Sequence, residues 1–143
     1  MKDREKQIEQ WAIAILQEMP VLRHKLTPIA IQAGSSEVNL LQEVLKFLYL
    51  IGTYQQRLSP SMVVDLAWHE FILCTRLYAQ FCQENFGRFI HHTPGGEAAE
   101  NQRKFLKTIQ LYIMTFGEPL AGAWGNLAQE EWQSSQCGAC KAD

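Results

Sequence analysis

The chain has 143 residues, enough for one compact domain of common size. It is 47% hydrophobic and 20% charged, which excludes a disordered composition. Its net charge of −2 gives no strong field for duplex nucleic acid, so no nucleic-acid partner is expected. The opening MKDREKQIEQ has no apolar core and does not read as a signal peptide. No apolar run approaches the roughly 20 residues that span a bilayer, so no membrane partner is expected either. Four cysteines without a secretion signal read as reduced thiols, and a cytoplasmic location is expected.

No segment shows sustained period-two alternation, and the pattern is helical throughout. Asp3 to Met19 predicts a first helix, with Ile8, Trp11, Ile15 and Met19 at helical spacing and Pro20 as its stop. PVLRHKLTPIAIQAGSS, with two prolines and a glycine, reads as an irregular connector in which only Thr27 to Gln32 suits a helical turn. Ser35 or Ser36 caps a second helix reaching about Gln56. Its wide apolar face (Leu40, Leu41, Val44, Leu45, Leu48) offers a surface for a homodimer or protein partner. Ser59 as cap and Pro60 at the first position start a third helix, read as running to about Asn85. Its only charges before Gln83 are Asp65, Glu70 and Arg76, and apolar residues occur all round it, as in a central buried helix. Phe89 to Gly96 is a loop. A fourth helix runs from about Glu97 to Thr115, and a short fifth element spans Pro119 to Ala128. The expectation is an all-α single domain over residues 1–130, with four to five helices around a central one at about 60–85. Residues 131–143 read as a polar, mobile tail.

The chemistry is concentrated between Ser59 and Pro94, which holds three of the four histidines. Ionisable groups on an apolar helix are costly unless paired, hydrogen-bonded or metal-bound. Asp65 and His69, four residues apart, lie about 40° apart in projection with Cβ atoms about 5–6 Å apart. Such a pair supplies two metal ligands, or lets the aspartate orient the imidazole. Arg76, two turns onward, can neutralise Asp65. A buried structural Asp–His hydrogen bond explains the pair equally well. His91-His92 in the following loop offers a third ligand. Asp65, His69 and His91 or His92 then make a two-His-one-carboxylate set, suited to a divalent ion such as zinc or iron. Cys137-Gly138-Ala139-Cys140 is a CxxC, but it supplies only half a zinc site and lacks the strand-to-helix context of a redox motif. Cys74 and Cys82 read as buried small hydrophobes.

Val64-Asp65, Trp68-His69, Tyr78, Phe81-Cys82, Gly87 and Phe89 to His92 together resemble the bacterial relatives of the glycine-rich domain-containing proteins. The resemblance covers roughly residues 59 to 94. It implies a helical domain and assigns no activity. The long glycine-rich tail of that family's plant members is missing, and the CGAC ending resembles a short remnant of a Cys/Gly-rich end. The functional expectation is a small helical binding or regulatory domain with a polar site at Asp65, His69, His91 and His92, built around a divalent metal. One alternative is a metal-free interaction module with a structural Asp–His pair. The other is a small enzyme with His69 as general base.

Overall fold

A computed structural model describes residues 2–136, which form eight helices and no strand. The helices are α1 (Lys2–Glu18), α2 (Pro20–Gln32), α3 (Glu37–Tyr54), α4 (Met62–Leu73), α5 (Thr75–Phe86), α6 (Ala98–Phe116), α7 (Ala121–Trp124) and α8 (Asn126–Gln136). The all-α class expected from the sequence holds, in a single compact domain. The count, the centre and several boundaries differ.

The connector after α1 is a helix. Pro20 occupies its first turn, where the missing N–H costs nothing, and Pro28 sits on its exposed side. Leu22, Leu26 and Ala30, four residues apart, are buried against α3 and α4. That burial outweighs the break that two prolines signal in sequence.

The centre is α3. Ser36 caps it, accepting from the Asn39 N–H at 3.1 Å. Its apolar face, Leu40 to Ile51, is buried against α1, α2, α4, α5 and α6. The face read as a dimer surface is therefore core.

The segment read as one central helix over 60–85 is two helices of 12 residues each, broken at Cys74 (φ −82°, ψ 65°). The start also moves: Ser61 is the cap, accepting from the Val64 N–H at 3.1 Å and donating to the Ala123 carbonyl at 2.6 Å. The break has a packing reason. Trp68 and Tyr78 would stand about 15 Å apart along a straight helix. The bend brings the Trp68 indole N–H to within 3.0 Å of the Tyr78 hydroxyl. Phe71 and Phe81 pack at 5.8 Å in the same corner.

The tail read as beginning at residue 131 is helical to Gln136, as part of α8. Cys137 and Cys140 lie outside the described residues. No described helix is long and apolar enough to cross a membrane.

Among the described residues, the fold also holds a buried polar cluster. Glu43 of α3 is 2% exposed. Its Oε1 accepts from the Tyr112 hydroxyl (2.6 Å) and the Trp124 indole N–H (2.8 Å), and Lys46 Nζ lies 3.2 Å from Oε2. This cluster ties α6 and α7 to the central helix. A glutamate inside Leu40-Leu41-Gln42-Glu43-Val44-Leu45 was its sequence signal.

Candidate functional site

The site begins with a turn. Gly87 ends α5 in a left-handed conformation (φ 73°) that a side chain would strain, and the chain doubles back toward α4. The Tyr78 hydroxyl holds the returning strand of loop by donating to the Ile90 carbonyl at 2.6 Å, and the Ile90 side chain is buried. Tyr78 thus joins Trp68 of α4 to the loop through one oxygen. Burial pushes its phenol well above the ordinary value, so the hydroxyl keeps the proton it donates.

His92 is delivered onto Trp68, ring centroids 4.6 Å apart, with Nε2 2.6 Å from Asp65 Oδ1. The pair spans 27 residues of sequence. It is half-buried, with side-chain exposures of 18% for His92 and 45% for Asp65. A carboxylate accepting from Nε2–H fixes the neutral imidazole in the tautomer with its lone pair on Nδ1.

The four residues expected to form one site are thus divided. Asp65 and His92 are in contact. His69 is exposed, with its ring 6.2 Å from that of His92. His91 packs on Phe89 at 4.6 Å. The expected Asp65–His69 hydrogen bond is replaced by Asp65–His92, because the loop brings a second imidazole to the carboxylate. Arg76, beyond the bend at Cys74, makes no ion pair with Asp65. Among the described residues no group of three or more His, Cys, Asp or Glu side chains is arranged to hold a metal ion. Asp65 and His92 are two donors already engaged with each other, short of the three or four protein ligands that zinc and iron sites use. Cys82 is buried as expected, while Cys74 is half-exposed at the helix break. Burial raises both thiols above their ordinary value of 9.0.

The pair lies on the wall of an open cleft of about 1070 Å³. The end of α3 and the Gln55–Ser61 loop form one side. The first turns of α4 form the floor, and the 88–96 loop with the start of α6 forms the other side. Sequence reasoning had placed none of Gln55, Arg57, Arg88 or Lys104 here. They are far apart in the chain, and only the packing of α3, α4 and α6 collects them.

A family model described as UCP032817-like matches residues 4–114. The chain belongs to the UCP032817-like family. That family is of unknown function. The match corrects the resemblance to glycine-rich domain-containing proteins, which nothing else supports. The short motifs around Asp65 and His92 that carried the resemblance lie inside the UCP032817-like match, which is far longer. No curated protein and no solved structure matches the chain. The matched span runs from α1 into the last turn of α6, so it includes the whole cleft and excludes α7 and α8.

Proposed function

We propose that this UCP032817-like chain is a small ligand-binding domain whose site is the cleft beside Asp65 and His92. One observation carries the reading: a 2.6 Å carboxylate–imidazole pair, drawn from elements 27 residues apart, faces a cleft large enough for a small molecule. A single aspartate–histidine contact at the edge of open solvent adds little to folding stability. Its geometry is nonetheless fixed from beneath by Trp68, Tyr78 and Ile90. A rigidly supported polar group at an open surface is what recognition of a ligand needs.

The test is a fragment library screened by amide NMR on wild type and His92→Ala. Hits are expected to move signals within residues 57–65 and 88–104, and to be lost in the variant. Hits that map elsewhere, or none at all, would overturn the reading. Elemental analysis of the same two proteins separates the divalent-ion version. Near-stoichiometric zinc or iron, present in wild type and absent in the variant, would add a metal to the site.

A second reading, self-association through α4, is favoured by a different observation. Met62, Leu66 and Leu73 recur at helical spacing and are 80%, 47% and 61% exposed, continuous with the cleft floor at Met62. Light scattering on wild type and Leu66→Asp tests it. A dimer that the substitution dissociates supports it, and a monomer at all concentrations removes it.

A further inference from the structure

We infer that the cleft takes an anionic small molecule, one bearing a carboxylate or a phosphate. The inference rests on the reading of the cleft as a binding site and names the chemical class that fits it. Three fixed cations, Arg57, Arg88 and Lys104, line the cleft against a single carboxylate, Asp65. This excess runs against the −2 charge of the whole chain. Asp65 is hydrogen-bonded to His92 and makes no ion pair with either arginine.

The three cations differ in how free they are. Lys104 Nζ lies 3.4 Å from Glu100 Oε1, an exposed pair that water screens. Neither Arg57 nor Arg88 has a carboxylate in ion-pair contact among the described residues. Arg88 reaches the Ile51 carbonyl at 3.5 Å, a long contact that sets the guanidinium beside the end of α3 and leaves most of its five donors unused. Arg57 follows the same helix end by three residues. Both arginines line the cleft, and a guanidinium fork matches the paired oxygens of a carboxylate or phosphate.

Gln55, which also lines this end, is the one described non-glycine residue with positive φ (52°). Its N–H donates to the Ile51 carbonyl at 2.9 Å, so the left-handed turn closes α3 and carries the chain to Arg57. The rest of the cleft supplies less polar walls, including Pro60, Pro94 and the edge of Trp68, for the body of the ligand.

Four phenyl-bearing probes of differing charge test this on the full chain by amide NMR: phenyl phosphate, benzoate, benzamide and benzylamine. The expected result is saturable shifts around residues 57, 88 and 92 with phenyl phosphate, benzoate or both, and no more than weak shifts with the other two. Whichever anion binds more tightly identifies the headgroup. Arg57→Gln, at an exposed position that leaves the core untouched, is expected to weaken the anion at least tenfold, as is Arg88→Gln. Unchanged signals from α1 and α3 verify the fold of both variants. Benzamide or benzylamine binding at the same signals as tightly as the anions would overturn the anionic class while leaving the cleft a binding site. Anion binding that both variants retain would overturn the role of the arginines and the inference with it. If no probe of any charge moves the cleft signals, the binding reading itself fails, and this assignment falls with it.

Discussion

Two carboxylates in this molecule take aromatic or imidazole partners from distant parts of the chain, and their surroundings give them different roles. Glu43 is sealed in the core, where Tyr112, Trp124 and Lys46 satisfy both of its oxygens. Asp65 is half-exposed, has one side-chain partner, His92, and faces a cleft. A buried carboxylate with a full set of donors and no adjoining space can hold helices together and meets no solute. A carboxylate with one partner and open space beside it contributes little to stability and is available to a ligand. The residue types in the two places are similar, and solvent access separates them.

Substitutions that treat the two places alike sharpen the contrast. Glu43→Ala is expected to cost about 3–5 kcal/mol, because it leaves the Tyr112 hydroxyl, the Trp124 N–H and the Lys46 ammonium without their acceptor. Glu43→Gln, which keeps an acceptor oxygen, should recover part of that; urea denaturation measures both. A loss below about 1 kcal/mol for the alanine variant would erase the distinction between the clusters.

Tyr78→Phe comes next, at about 1–3 kcal/mol, since it strands the Trp68 N–H and the Ile90 carbonyl. Hydrogen exchange in the 88–92 segment should rise along with it. The smallest stability effect belongs to the cleft. Asp65→Asn is expected to cost less than about 1 kcal/mol while altering the tautomer of His92, read by nitrogen NMR of its imidazole ring.

Alkaline pH tests the burial of phenols and thiols in both regions. Burial raises Tyr78, Tyr112, Cys74 and Cys82 in the folded state above their ordinary values of 10.0 and 9.0. The unfolded chain therefore loses these protons first. Their contribution to stability is complete below pH 9.0 and declines as pH rises past it. Thermal midpoints should be flat at neutral pH and fall above that point, whereas a midpoint constant into strong alkali would contradict the burial of these groups.

Much of the fold was legible because apolar spacing reports directly on buried helical faces. Ile8 and Ile15 of α1 are buried, with Trp11 and Met19 partly so, and the run from Leu40 to Ile51 in α3 likewise matches the face it buries. The prolines of α2 misled because a breaker signals local cost only. Leu22, Leu26 and Ala30 supply a compensating burial that depends on α3 and α4 being in place. Cys74 misled in the opposite direction. Nothing in the Phe71-Ile72-Leu73-Cys74-Thr75 stretch signals a stop, and the bend is set by aromatic packing on both sides of it.

Local pattern was enough to show that the chain is helical and that its ionisable chemistry is gathered between Ser59 and Pro94, but it paired Asp65 with His69 rather than His92. Composition, period and the cost of burying charge are local properties, and they are written in order along the chain. Tertiary structure alone decided which histidine meets Asp65, which helix is central, and which cations face the cleft. Helix geometry brings His69 within reach of Asp65. The Gly87 turn, pinned by Tyr78 at Ile90, brings His92 closer still, and that depends on the path of the whole chain.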